Sequence, residues 1–295
     1  MDTIISLQTA NEAENKRKKL IAARNKACAL IDDAKARYLK LRPVYYASVS
    51  GGKDSFFMLN LILNNQEKYP LDMVVHFELE IDWPWSKRVI DFMEERCKKA
   101  GIKFVRIKPR RTWQELHEKY GFPNAHARWC NKEYKLDAKR QLEDWIKDQN
   151  CRPVAYVGLC ADETARFKYD IGDIQEGQDL IYPIAEEGIC ESEILCWAKT
   201  QPIFEGYYRY FDRQGCMLCP FLSMKEMAFL KKTEPETFEY MFDCIKETEE
   251  RIFKEKGKEW KFRGEGADII KQRVCDKWLP ILTSEECQMN IFDYL

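Results

Sequence analysis

ASVSGGKDS, residues 47–55, ends a short apolar run and leads into an apolar helical pattern from Ser55 to Asn64. A strand that breaks at two glycines and continues as a helix is a crossover junction. Gly51 and Gly52 allow backbone angles that point consecutive N–H groups at one anion. The following helix adds its positive N-terminal end. Ser50 and Ser55 supply hydroxyls and Lys53 a compact cation, a set suited to a di- or triphosphate or a sulfate. Asp54 repels such an anion unless it orients the loop or a magnesium ion bridges the two. The Walker A pattern is absent.

The same alternation runs outward from this junction. Apolar runs at Val44–Val49, Met73–Leu79, Phe104–Ile107, Val154–Leu159 and Leu180–Ile184 read as strands. Helical patterns at Ser55–Asn64, Ser86–Ala100, Thr112–Tyr120 and Asn131–Gln149 lie between them. Alternating strands and helices predict an α/β fold, a doubly wound parallel sheet of about five strands. Ligands of such sheets sit at the carboxyl ends of the strands. Residues 1–42 form a charged helical arm, a packing or homo-oligomer element. Residues 43–205 form the nucleotide-binding domain, and residues 206–295 a helical region around a C-x-x-C.

Composition narrows the partners. The formal net charge of −1 gives no global basic field, so it does not point to nucleic acid, although a local basic groove stays open. No apolar run is long enough to span a bilayer, and the N-terminus lacks an apolar signal core. The expectation is a cytoplasmic protein without a membrane partner. In that compartment the 12 cysteines are free, catalytic or metal-bound rather than paired.

Cys216 and Cys219 form a C-x-x-C followed by Pro220, a turn in which two thiolates share one iron or zinc. Cys130 is the next candidate ligand. His126, four residues before Cys130, completes a Cys3His zinc site in the alternative reading, and in a third reading these cysteines bind no metal. Arg128 stands beside Cys130 and suits an anion there. Cys28, Cys97, Cys151, Cys190, Cys196, Cys244 and Cys275 read as small buried hydrophobes. Lys108, Arg110 and Arg111 read as a solvated charge run, His76 as a core histidine, and Trp83, Trp85, Tyr207, Tyr208, Tyr210 and Phe211 as core or base-stacking aromatics.

SGGKDS resembles the PP-loop of the adenine nucleotide alpha hydrolase superfamily, which includes ATP pyrophosphatases and the phosphoadenosine phosphosulfate (PAPS) reductase family. RWCNKEYKLDAK (128–139), VGLCADETARF (157–167), YPIAEEGICESEILCWAKTQ (182–201) and CMLCP (216–220) are similar, in order, to later segments of the PAPS reductase family. The resemblance implies an adenine nucleotide (ATP, PAPS or adenylyl sulfate) held by Ser50, Gly51, Gly52, Lys53, Asp54 and Ser55, with Mg2+. It adds Gly158, Asp162, Glu163 and Arg166 to the nucleotide side, and Lys53, Asp54 and Arg128 as catalytic groups. Leu159-Cys160 stands where an arginine is usual, and Thr164 where a serine is. By the same resemblance, Cys130, Cys216 and Cys219 hold a 4Fe–4S cluster with one open iron, since Trp129 replaces a fourth cysteine. The implied activity is adenylation of an acceptor followed by sulfur transfer, with donor and acceptor unnamed. The alternatives are reduction of PAPS or adenylyl sulfate through Cys287 in the C-terminal tail, and a non-catalytic nucleotide-binding partner.

Overall fold

The computed structural model describes residues 2–167, 179–204, 207, 208, 211 and 213–283, with side chains from residue 17. Five strands, β1 (Arg42–Val49), β2 (Met73–Phe77), β3 (Lys103–Ile107), β4 (Cys151–Tyr156) and β5 (Leu180–Ile181), form one sheet. Its order is β3-β2-β1-β4-β5 and every pair is parallel. Tyr46 of β1 pairs with Met73 on one side and Ala155 on the other. The chain steps from β1 to β2 and β3 in one direction, then crosses back to place β4 on the opposite side of β1. That reversal opens a crevice beyond the carboxyl ends of β1 and β4, where open α/β sheets bind ligands.

Helices cover both faces, as a parallel sheet requires. Helix α1 (Asp2–Leu39) precedes the sheet, and α2 (Lys53–Asn64), α3 (Pro84–Lys99), α4 (Trp113–Tyr120) and α5 (Leu136–Asp148) are the crossovers. One core joins Ala47, Val49, Phe56, Leu59, Val74, Ile90 and Tyr156; a second, on the opposite face, joins Tyr46, Val75, Leu142 and Ile146. The strand expected over Leu180–Ile184 is shorter, because Pro183 opens a short helix, α6 (Pro183–Glu186), and proline donates no ladder hydrogen bond. Helix α7 (Glu191–Lys199) follows.

The C-terminal helices α8 (Met224–Thr233), α9 (Pro235–Lys256) and α10 (Ala267–Arg273) build a third core. It joins Met227, Leu230, Phe238, Met241, Ile245 and Ile270 to Leu79, Ile81, Trp83 and Trp113 from the sheet side. Two of these helix starts have a sequence reason: Ser223 and Glu226 form a reciprocal capping box on α8, and Pro235 is at the first turn of α9. Helix α1 is different. Leu20, Ile21, Leu30 and Ile31 are 64%, 49%, 61% and 65% exposed, so among the described residues these four positions face largely to solvent. No helix among the described residues is long and apolar enough to cross a membrane.

Candidate functional site

The loop after β1 is held by its own serines. The Ser50 amide donates to Ser55 Oγ at 3.2 Å, Ser55 Oγ donates to the Gly52 carbonyl at 3.0 Å, and Ser86 Oγ donates to the Ser50 carbonyl at 3.2 Å. Gly51 has φ +76°, the left-handed region, and a Cβ there would sit 2.4 Å from Ser86 Oγ and 2.9 Å from the Ser86 carbonyl. Only glycine fits. The amides of Gly51, Gly52 and Asp54 meet no acceptor among the described residues. Such orphan donors at a helix start are what an anion satisfies. The backbone therefore fits a phosphate or sulfate.

The Lys53 side chain turns inward. Its ammonium donates to Asp54 at 2.9 Å and Glu191 at 3.1 Å, with only 2% of the side chain exposed. Burial alone would push its pKa down, but the two carboxylates outweigh burial and hold it above the ordinary lysine value. Burial pushes the Asp54 pKa up, and Lys53 counters only part of that. The charged pair is thus part of the loop's framework, with carboxylate oxygens of the type magnesium prefers. Glu191, which opens α7, is a member of this site that sequence reading missed. It lies 138 positions from Lys53, and no local pattern signals the pairing.

Tyr208 is a second such member. Its hydroxyl accepts from the Lys53 amide at 2.9 Å, where an anion oxygen would accept. Beside it, the Gln214 carboxamide oxygen is buried without a hydrogen-bond partner among the described residues, 3.0 Å from where a Gly52 Cβ would be. The segment carrying Tyr208 and Gln214 continues directly into Cys216, so the phosphate-type loop and the C-x-x-C turn are neighbours.

The segment after β4 closes the crevice. A Cβ on Gly158 would lie 3.1 Å from the Asp54 carbonyl, so this glycine lets the strand end approach the first turn of α2. Asp162 accepts from the Glu191 amide at 3.1 Å and so caps α7. Glu163 accepts from the Cys160 amide at 3.0 Å and pairs with Arg166. Cys160, at the place of the missing arginine, is buried beside Asp54, and burial pushes its thiol well above the usual range.

Cys130, Cys216 and Cys219 pack against the same core, although Cys130 comes from a distant part of the chain. Cys130 opens a π-helical turn, Cys130–Lys135, that runs into α5; such turns recur at functional sites. The C-x-x-C turn is pinned by the Met217 amide to the Ile81 carbonyl at 3.0 Å and by the Trp83 indole to the Gly215 carbonyl at 3.1 Å. The neighbouring Cys219 thiol, with help from the Lys135 cation, lowers the Cys216 thiol below the usual cysteine value against its burial. Burial and then the Cys216 charge raise Cys130. Lys135 is exposed along its length, yet its ammonium end feels Cys216 first and also Cys219 and Cys130. Lys135 thus feels all three thiols, and a set of three thiolates is of the type that suits iron–sulfur or zinc. Among the described residues, no three Cys, His, Asp or Glu side chains stand at metal-coordinating spacing.

The other sequence candidates sort clearly. Arg128 is exposed, with its guanidinium 5.2 Å from the Phe221 ring centroid. His126 is exposed on the surface near Pro220. Lys108, Arg110 and Arg111 pair with Glu78, Asp137 and Glu133. His76 is buried with Nδ1 3.0 Å from the Val49 carbonyl, a satisfied core histidine. Trp85 stacks on Tyr207 at 4.5 Å, so these rings pack on each other. Cys97, Cys151 and Cys244 are buried as expected; Cys28 and Cys196 are exposed instead, on the outer faces of α1 and α7. Tyr210 and Cys287 lie outside the described residues.

Two uncharacterized proteins of Methanocaldococcus jannaschii are similar to this chain. One is 26% identical over 222 residues (74% of this chain, 44% of the relative), the other 28% over 206 residues (68% and 47%). The chain therefore spans less than half the length of these curated relatives. Among solved structures, the tRNA thiolase NcsA of Methanococcus maripaludis with its 4Fe–4S cluster aligns at TM-score 0.37 and 16% identity, covering 72% of this chain and 77% of that one. The PAPS reductase of Candida auris aligns at TM-score 0.35 and 14% identity, covering 53% and 72%. At such scores neither neighbour bears on the chemistry of the site. The phosphoadenosine phosphosulfate reductase domain family model, by contrast, matches residues 44–221, which take in most of β1, the glycine loop, Cys130 and the C-x-x-C. The chain belongs to the phosphoadenosine phosphosulfate reductase domain family, a family of adenine-nucleotide and sulfur chemistry.

Proposed function

We propose that this protein is an ATP pyrophosphatase-type enzyme that adenylates an acceptor and then transfers sulfur to it. The observation that carries the reading is the junction of two sites: the orphan amides of the glycine loop lie beside the segment that leads from Tyr208 through Gln214 into Cys216. MgATP is bound through the amides of Gly51, Gly52, Lys53 and Asp54, with Tyr208 giving up the Lys53 amide. Ser50 and Ser55 keep the loop in shape. Lys53, clamped by Asp54 and Glu191, fixes the first turn of α2 and leaves net negative oxygens for magnesium. An acceptor oxygen attacks the α-phosphorus, pyrophosphate leaves, and a sulfide-level sulfur nucleophile then displaces AMP, so that sulfur replaces oxygen on the acceptor.

Cys130, Cys216 and Cys219 would hold the 4Fe–4S cluster, which, when bound, supplies an open iron for a sulfur ligand. Lys135 balances thiolate charge, and Arg128 offers an exposed cation on the same side. The exposed leucines and isoleucines of α1 are where a second copy would pack.

The test is anaerobic reconstitution followed by two assays. ATP-dependent release of pyrophosphate and AMP, requiring acceptor and sulfide, is expected. Sulfite formed from PAPS or adenylyl sulfate without ATP cleavage, and lost in Cys287→Ser, would replace this reading with a reductase. Nucleotide binding with no turnover under either condition would leave a non-catalytic binding partner.

A further inference from the structure

A cleft of about 690 Å³ lies on the outer side of the C-x-x-C turn, between the Asn124–Ala127 turn and the loop that joins α9 to α10. Most of its lining, from Leu222 to Gly264, falls beyond the residues the family model matches. Two partly exposed aromatic rings wall it, those of Phe221 and Trp260, with Phe262 buried in the core behind them, and three basic residues line it, His126, Lys261 and Arg263. No carboxylate is among its lining residues.

The cleft is braced by backbone under strain. Arg263 has φ +56°, which is costly for an arginine. In that conformation its guanidinium donates to the Pro220 carbonyl at 3.1 Å from Nε, and to the Leu222 carbonyl at 2.6 Å. It also lies 5.0 Å from the Phe262 ring centroid. Arg263 therefore fixes the turn that follows Cys219, and it is near enough to feel the Cys219 charge. Opposite, the Asn124 carboxamide oxygen accepts from the His126 and Ala127 amides at 2.8 and 2.9 Å. The Phe221 ring, 39% exposed, has the Arg128 guanidinium at 5.2 Å. Among the described residues, Lys261 pairs with Glu259 at 3.0 Å, both side chains mostly in solvent, and Arg263 feels the more distant, buried Glu226. An exposed pair such as Lys261 and Glu259 yields readily to a better anion.

Rings for stacking, cations at the rim and no lining carboxylate define a ligand. A lipid chain would strand the charges. A bare anion would leave the rings in water. We infer that the cleft binds a nucleotide unit, its base stacked against Phe221 and Trp260 and its phosphate toward Lys261 and His126. The volume suits one such unit, and stacking accepts any base. Naming that unit as the sulfur acceptor rests on the proposed function; its binding does not.

The test uses the full chain and a pyrimidine probe, so that the adenine site is not read by mistake. Uridine monophosphate and a fluorescein-labelled single-stranded oligouridylate are titrated by calorimetry and anisotropy, with uridine and ribose 5-phosphate as controls. Both phosphate-bearing pyrimidines should bind, and the two controls more weakly. Trp260→Ala and Lys261→Glu, checked for an unchanged melt, should each weaken binding about ten-fold. A strand that binds far more tightly than the monophosphate, with steep salt dependence, identifies an unpaired strand as the source; equal affinities identify the free nucleotide. Binding unchanged in both variants, or no binding of either probe, overturns the inference. A saturating non-hydrolysable ATP analogue separates the two proposals. Probe binding abolished by the analogue but untouched by Trp260→Ala places the probe in the glycine loop and sinks the cleft alone. Probe binding lost in Trp260→Ala, with no measurable ATP binding, keeps the cleft and sinks the proposed reaction.

Discussion

The glycine loop and the thiol turn are neighbours built in opposite ways. Residues 50–55 are contiguous, and their donors are arranged by local geometry: one left-handed glycine, two serines and a helix start. The thiols come from a π-helical turn before α5 and a loop before α8, and only the shared core brings them together. The loop's own donors tolerate little change, while Ser86, Glu191 and Tyr208 brace them from elsewhere in the chain. An assembled site tolerates changes at any one turn only while both turns stay docked.

That contrast can be broken most sharply at Gly51. Gly51→Val adds a side chain to a left-handed residue against Ser86 and should cost about 2–4 kcal/mol with loss of ATP binding. A denaturant melt with calorimetric titration reads both. An unchanged melt with ATP still bound would show that the loop is not held as described. Cys216→Ala should remove most iron after anaerobic reconstitution while ATP affinity changes less than about three-fold, since the loop's donors are local. Loss of both together would mean that the two sites are one folding unit.

Tyr208→Phe sharpens the comparison from the other side. It removes the protein acceptor from the Lys53 amide, so ATP no longer displaces a hydrogen bond worth about 1 kcal/mol. Affinity should rise about three- to ten-fold; weaker binding would mean that the hydroxyl contacts nucleotide instead. The smallest effect is expected far from both sites, at Glu239. Lys231 first and Lys271 second hold its carboxylate below the ordinary value of 4.5. A depressed folded-state pKa stabilises above the unfolded pKa and loses that stabilisation as pH falls through the folded one. Glu239→Gln should therefore cost a few tenths of a kcal/mol near neutral pH, because the pair is exposed, and nothing once both forms are protonated. Melts at two pH values decide it.

The contrast also explains what was legible in the sequence. Strand alternation gave the sheet, and the six residues after β1 gave the anion loop, because each signal is local. Cys130 could be tied to the C-x-x-C only through the family resemblance. Glu191, Tyr208, Gln214 and Lys135 carry no motif; they enter the site because α7 and the aromatic segment fold back onto α2, and because Cys130 begins a π-helical turn. The end of β5 was misread because the apolar run continued past Tyr182 while Pro183 had already ended the ladder.

The central claim is that the nucleotide loop and the three thiols serve one chemistry. The direct measurement is an iron and sulfide count with an absorbance and EPR spectrum on anaerobically reconstituted protein, repeated with ATP added. The account predicts about four irons per chain, lost on replacing any of Cys130, Cys216 or Cys219, and a spectrum that shifts when ATP binds. Stoichiometric zinc without iron, or a cluster spectrum indifferent both to ATP and to replacement of Cys130, would contradict it.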